Sequence, residues 1–590
     1  SVDPGTWPDN EVSSGEINGE NFRLDESEDD EPVDVDCVDP DGNEYSLSQG
    51  AVDVDWSDYN NSNDQDTEIP YSIDMNNESV DKGSRCVVTV NNTDGSYAEF
   101  GPVAISWPAS AWRLGPWEAG PDLNTARRMP AMATGQPSRE QQYLYAVGGD
   151  DGDELNARES VEYSRINLLG EPTGFSDMPR HDMPNGGRAL TEAVRVDDFI
   201  YLVGGFKGSA SSDSGVTGEI IRANVLDPFN VPEITNISFD YVESDGLDEG
   251  TYYYRVSAVL DSNSDYNPGG ETLASEPMPV TVPDAVDGDV QLSLSWDAFE
   301  DADEYRVYRS PSPDMASGEE ELIATVSDDG SSSYSLDDDD KSPQSSDNPL
   351  PIGAIGEWHE PDSNASISAR HSHAMTMVED PDEEDRYHIY AIGGLDDNDE
   401  ALDSIDRVTV DVDGTQDQSI SSTATGVATL DEARYEHEAG MGTETSATNL
   451  DDPPMLYAFG GRTDGGFTNA IDYFEVSTGG ALSNRQSATT TGLQDYAGYL
   501  GGVANDRLYL AYGRDGSASD SAQKSAEIQS DGGLGTASTW SALTMEGDDE
   551  NRYMLGSTPL YSIVYVAGGL DTNDDARKSV DFSVVGSTSQ

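Results

Sequence analysis

An all-β chain built mostly from one repeated four-strand unit is what this sequence predicts, on three observations. A strand of four apolar or aromatic residues ending in a glycine pair recurs along most of the chain. The segments around it alternate apolar and polar residues with period two, the pattern of strands with one wet face. Gly (58) and Pro (30) separate short segments, and no stretch carries a sustained helical period.

The repeat organises the rest. Leu144-Tyr-Ala-Val-Gly148-Gly149 returns at Ile200-Tyr-Leu-Val-Gly204-Gly205, Ile389-Tyr-Ala-Ile-Gly393-Gly394, Leu456-Tyr-Ala-Phe-Gly460-Gly461 and Val564-Tyr-Val-Ala-Gly568-Gly569. A degenerate copy is Leu508-Tyr-Leu-Ala-Tyr512-Gly513. A strand opening with Arg and His often precedes the copies, as at Arg370-His-Ser-His373-Ala374 and Arg434-Tyr-Glu-His437. An alternating strand follows, as at Ser160-Val-Glu-Tyr163, Ile405-Asp-Arg-Val-Thr-Val410, Ala470-Ile-Asp-Tyr-Phe-Glu-Val476 and Ser579-Val-Asp-Phe582. A fourth strand carries Trp or a stand-in at Trp358, Trp540 and Phe175.

The pairs begin at 148, 204, 393, 460, 512 and 568, regular apart from one gap of 189 residues. A period of about 50 residues with four strands each is the signature of radially repeated sheets. Glycine is needed where the backbone turns beside a neighbouring sheet and a Cβ would clash. These copies resemble the kelch motif. The resemblance implies a six-bladed kelch β-propeller over 111–229 and 353–590. Its last blade ends at its third strand, 580–585, and the segment 111–118 with Trp112 and Trp117 supplies the fourth, leaving no open edge.

The long gap holds an insertion, 230–352, between the third and fourth strands of blade two. Val290-Gln-Leu-Ser-Leu-Ser-Trp296, then Asp303-Glu-Tyr305-Arg-Val-Tyr-Arg309, resembles the second and third strands of fibronectin type III domains. Gly250-Thr-Tyr-Tyr-Tyr-Arg-Val-Ser-Ala258 resembles their penultimate strand, so the order looks circularly permuted. Permuted modules of this kind are similar to those in phage tail and bacterial surface proteins.

Ahead of the repeat, residues 31–107 alternate strictly, as in Val33-Asp-Val35-Asp-Cys37 and Val52-Asp-Val54-Asp-Trp56, and predict a small β-sandwich. It holds both cysteines, Cys37 and Cys86, which form either one disulfide or two buried thiols. Residues 1–30 are polar, end in an acidic run and predict an extended arm. The chain starts Ser1-Val2-Asp3, so either a signal or only an initiator methionine has been lost; the residues do not decide.

Charge narrows the partners. Asp and Glu number 116 against 30 Lys and Arg, a net charge of −86, and only five of the bases are lysine. Such a surface repels itself in dilute salt. At molar salt, where the Debye length falls to about 3 Å, the repulsion is screened. The composition resembles proteins of halophilic archaea. Nucleic acid is excluded as a partner, because phosphate contacts need clustered Lys and Arg, and no apolar run reaches the length of a membrane span.

Motifs of chemistry are sparse. Kelch propellers include copper-radical oxidases similar to galactose oxidase, which need a Cys cross-linked to Tyr and two His ligands. Here both cysteines precede residue 107, and His181, His359, His388 and His437 lack ligand spacing. His371 and His373 stand at the ordinary strand position of the repeat. Carboxylates are too abundant to single out a glycosidase pair, and no phosphate-binding loop, nucleophile elbow or HExxH helix occurs. The loops Asp396-Asp-Asn398-Asp-Glu400 and Asp571-Thr-Asn573-Asp-Asp575 space their oxygens as speculative Ca²⁺ ligands, with Asp39-Pro-Asp41-Gly-Asn43 a third; solvated acidic turns are the plainer reading. Sequons occur at Asn60, Asn77, Asn91, Asn236 and Asn364.

The expectation is therefore a non-catalytic virion surface or tail protein of a halophilic archaeal virus, in a tail fibre or receptor-binding role. Its N-terminal region would meet other virion proteins, and its propeller or sandwich a host surface protein or glycan. Homo-oligomers are compatible with this, with no coiled coil to enforce one. A secreted or cell-surface haloarchaeal binding protein is the alternative. An extracellular carbohydrate-active enzyme is the third.

Overall fold

The protein is all-β, built from many small antiparallel sheets, with no α-helix among the described residues. The computed structural model describes residues 2–584 apart from 4–5, 9–11, 23–31, 41, 48–51, 55–65, 76–82, 93–95, 107–116, 139–140, 153–155, 185, 209–214, 243–245, 284–288, 312–319, 346, 362–363, 413–417, 443–453, 490–496, 499, 505–506, 512, 515–522, 529–533, 535–540, 544–551 and 561–562.

Each glycine-pair copy sits at the end of the second strand of its own sheet. The first repeat sheet runs Ala131–Ser138, Gln141–Val147, Val161–Ile166, Ser176–Asp177. The second holds Ala193–Val196, Phe199–Val203 and Ile220–Asn224. Its expected fourth strand is present only as bridges from Glu219, Arg222 and Val225 to Ser366, His359 and Ile355, with Trp358 buried beside them. The third and fourth sheets begin at Ala374–Glu379 and Glu438–Gly442 and are complete meanders. The fifth begins at Leu500–Ala504 and ends with Ser541–Leu543, one residue beyond Trp540, which lies outside the described residues. The sixth joins Gly556–Leu560, Ile563–Ala567 and Val580–Val584 to Glu118–Ala119 from far upstream. The pairing Glu118↔Phe582 falls at the end of the segment expected to close that sheet, while 111–116 lie outside the described residues.

First strands lie beside first strands: sheet six against one, one against two, two against three, three against four, four against five. Second strands are apolar on both faces, as in Phe199–Val203 and Met455–Phe459, where every residue is buried. A strand covered by sheets on both sides should read as a continuous apolar run, and these do.

Two further β units flank this set. In the first, the sheet of Val2–Asp3, Val12–Phe22, Asp66–Asp74 and Val52–Val54 faces one of Thr6–Pro8, Tyr97–Ser106, Arg85–Asn91, Val33–Val38 and Glu44–Ser46. Val35, Ile69, Ile73, Val88 and Ile105 fill the space between them. This corrects the reading of residues 1–30 as an arm. Val12–Phe22 is an inner strand, and Ile17 is buried opposite Ile69. Three apolar residues, Val12, Ile17 and Phe22, scattered five apart among Ser, Gly, Asn and Glu, give too weak a local signal; the register comes from a partner strand distant in sequence.

In the second unit, Ile234–Val242, Asp289–Asp297 and Ser333–Asp338 face Met278–Val282, Gly250–Leu260, Ala302–Ser310 and Glu321–Ser327. Trp296 is fully buried against Tyr305, ring centroids 5.6 Å apart, and Tyr305 packs on Tyr334 at 4.7 Å.

Candidate functional site

Glycine pairs tie one repeat sheet to the next. The amide of Gly149 donates to the carbonyl of Arg188 (2.9 Å), Gly205 to Arg370 (2.8 Å), Gly394 to Arg434 (2.9 Å), Gly513 to Arg552 (3.1 Å) and Gly569 to Arg127 (2.9 Å). The last of these returns from sheet six to sheet one. A Cβ on Gly148 would stand 2.1 Å from the Arg188 carbonyl oxygen, and one on Gly568 2.3 Å from that of Arg127.

The same arginines anchor their own sheets. Arg127, Arg370, Arg434 and Arg552 are fully buried and pair with Glu162 (2.9 Å), Asp406 (2.8 Å), Asp472 (2.7 Å) and Asp581 on the third strands. Arg127, Arg370 and Arg552 also donate to the carbonyl of the first glycine of their pair. Arg188 pairs with Glu219 at 2.6 Å. Burial pushes the guanidinium pKa of Arg127 and Arg370 down, and the paired acid opposes it. Sequence reasoning passed over these arginines as cations. The signal was available: in a chain with 30 bases, five stand at corresponding places ahead of glycine pairs.

Two residues beyond the leading residue of each copy, the backbone turns left-handed. Met129 (φ 44°), Leu190 (54°), Ser372 (51°), Glu436 (49°), Gly498 (61°) and Met554 (52°) share this conformation. Their amides and carbonyls run in series: Ser372 donates to Leu190 (2.7 Å), Glu436 to Ser372 (2.9 Å), Gly498 to Glu436 (3.0 Å), Met554 to Gly498, and Met129 to Met554 (2.8 Å). Left-handed backbone at a non-glycine residue costs on the order of 1 kcal/mol or more, so five such residues persist only because their surroundings hold them. Glu436 stands between Arg462 (3.7 Å) and Arg514 (3.6 Å), which lie over the rings of Tyr435 and Tyr553.

Immediately below this hydrogen-bonded series, the six first strands enclose a channel of about 400 Å³. Its wall is largely methionine and small residues: Met132, Met375, Met377, Met441, Ala439 and Val503. Glu192, Glu438 and Arg195 are the titratable side chains on it. Burial pushes Glu192 up to about 8, against one backbone bond from Met375 (2.8 Å). Burial, then the charge of Glu192, lifts Glu438 well above the usual carboxyl range. The sequence did not mark either glutamate among 116 acids.

The expected site residues fall elsewhere. In the first acidic loop, Asp396 Oδ1 accepts the amides of Asn398 (2.8 Å) and Glu400 (2.9 Å), which hold its carboxyl pKa down. In the second, Asp571 Oδ1 accepts from Asn573 (2.8 Å) and Asp575 (3.0 Å), while Oδ2 takes a bond from Arg577 (2.6 Å). The first carboxylate of each loop thus accepts bonds from its own turn. No group of three or more His, Cys, Asp or Glu converges among the described residues. Asp39 likewise caps Asn43 (2.7 Å). Cys37 and Cys86 are joined in a disulfide between directly opposed residues of neighbouring strands.

Five of the six histidines are buried, and His359 is partly buried. His373 sits where Cβ atoms on Gly204 and Gly394 would meet it at 3.2 and 2.8 Å, a wedge between adjacent sheets. Burial lowers it to about 3. Among the described sequons, Asn91, Asn236 and Asn364 are exposed, while Asn60 and Asn77 lie outside the described residues. No helix is long and apolar enough to cross a membrane among the described residues.

No family model matches the chain, and no curated protein does. Among solved structures 44 chains match it. One, titled "Structure of YjhT", is 11% identical, covers 78% of this chain and 96% of its own, and superposes with a TM-score of 0.32, too loosely to assign a fold.

Proposed function

We propose that the chain is a non-catalytic surface or tail protein of a halophilic archaeal virus, acting in host adhesion. In this reading the six repeat sheets are the blades of a kelch β-propeller, and 230–352 is a fibronectin type III-like sandwich inserted in blade two. The 31–107 sandwich, with the strands before it, faces the particle.

The observation that carries the reading is the pair of buried joints between the units. Arg85 of the first sandwich is buried between Glu118 (2.7 Å), Glu171 (3.0 Å) and the ring of Phe582 (4.9 Å). Glu271 of the inserted unit takes bonds from Arg306 (2.6 Å), Ser257 (2.6 Å) and Tyr308 (2.6 Å), and from Arg180 of the repeat sheets (2.9 Å). Charge-assisted bonds across a joint resist bending. Stiffly linked β units with loops at their ends suit a protein that must reach from a particle to a surface.

The test is proteomics of purified virus and of host envelopes. Fixed stoichiometry in particles supports the virion role. Recovery from envelopes alone overturns it in favour of a haloarchaeal cell-surface binding protein. The Cys37–Cys86 disulfide and the exposed sequons support that second reading as well, since both suit an oxidising exterior.

A further inference from the structure

The channel contains carboxyl groups that the fold does not neutralise. Glu192 precedes the first strand of sheet two, and Glu438 opens that of sheet four. Glu438 lines the same channel, is close enough to Glu192 to feel its charge, and has no hydrogen-bond or ion-pair partner among the described residues. Arg195, three residues beyond Glu192, does not serve it: its guanidinium is held by Asp198 (3.6 Å) and by the carbonyl of Asp197.

A carboxyl pair without a counter-charge is costly to bury. It persists where a proton or a cation completes it. Hard divalent metals want six to eight oxygens, whereas this wall offers mainly thioethers, methyls and a few hydroxyls. An apolar wall beside two acids fits a ligand with a charged nitrogen and a hydrocarbon body.

We propose that the channel binds a small organic ammonium ion, its nitrogen between Glu192 and Glu438 and its carbon chain against Met132, Met375 and Met441. Binding exchanges the proton held by the pair for the cation. The site is independent of the virion assignment: it would operate equally in a cell-surface protein.

Isothermal titration of the full chain in molar KCl tests this, with n-butylammonium as probe and 1-butanol as its neutral counterpart. Molar salt suppresses loose cation binding to the acidic exterior. Expected are saturable one-to-one binding of the ammonium, none of the alcohol, and weakening of about tenfold or more in Glu438→Gln and in Glu192→Gln. Equal behaviour of the two probes overturns the proposal, as does wild-type affinity in the doubly substituted chain. If a substitution disturbs folding, the wild type alone still decides. Titration near pH 6 in two buffers of different ionisation enthalpy should show proton release on binding, and its absence overturns the exchange.

Discussion

The amide of Gly569, near the end of the chain, donates to the carbonyl of Arg127, ahead of the first repeat sheet, at 2.9 Å. That bond repeats the link between consecutive sheets elsewhere, so the last sheet meets the first by the same device that joins neighbours. The adjoining Gly568 has φ +66° and lies 2.3 Å, by its missing Cβ, from the Arg127 carbonyl oxygen. Gly568→Ala should therefore lower stability by about 3 kcal/mol, combining left-handed strain with the clash. Gly502→Ala, where a Cβ meets nothing within 4 Å, should be neutral or slightly stabilising. Thermal unfolding of both in molar KCl is the check.

Arg434 and Asp472 are both fully buried and meet at 2.7 Å. Arg434→Met leaves the carboxylate uncompensated and should cost about 3–5 kcal/mol. Adding Asp472→Leu should recover most of it, because the charge needing a partner is gone. Denaturant unfolding of the single and double variants measures the difference. A double variant no better than the single would mean the aspartate's other bonds, to Ser487 and Asp431, matter more than the ion pair.

Cys37 and Cys86 close a loop spanning 49 residues. Replacing both with serine should destabilise the first sandwich by about 2–4 kcal/mol, on the loop-entropy account of a cross-link. The unfolding transition of the repeat sheets should stay where it is. Calorimetry resolving separate transitions would show this.

Arg85 reaches from the first sandwich to Glu118 and Glu171. Arg85→Ala should loosen the joint while leaving both sides folded, making the chain more sensitive to protease. Glu118, raised by burial to about 7 despite Arg85, would remain buried without its partner. Limited proteolysis and small-angle scattering against wild type report the change.

Stability should also depend on pH through the channel. Burial raises Glu192 from 4.5 to about 8, so the folded chain keeps a proton the unfolded chain has lost. The stability this contributes is complete below about 4.5 and is lost as pH rises through 8. Glu438 shifts in the same direction. Melting temperature in molar KCl should fall between about pH 4.5 and about pH 8, and the fall should be shallower in Glu192→Gln. Comparing the two chains separates the pair from the general self-repulsion of the acidic surface.

How much of this was legible varies by element. The glycine pairs, the alternating third strands and the apolar second strands announced six similar sheets, because local backbone demand and two-sided burial leave a pattern in any one copy. Trp296 and Tyr305 stood out as core positions of alternating strands for the same reason, and both are buried. Val12–Phe22 escaped notice, since its place depends on pairing with Asp66–Asp74 rather than on its own residues. The acidic loops around Asp396 and Asp571 were legible by the spacing of their oxygens, but not the bonds each aspartate accepts from its own backbone, which depend on the turn the loop adopts.

By itself, then, the sequence determined the strand repeat and the excess of acidic over basic residues. Those properties are local or compositional, and each copy states them independently. Only the tertiary structure decided that Arg127, Arg370, Arg434 and Arg552 are buried partners of acids on the third strands, and that Glu192 and Glu438 share one channel. Such pairings depend on which strands become neighbours when the sheets are arranged, and a residue's sequence context carries no record of a partner brought to it from another sheet.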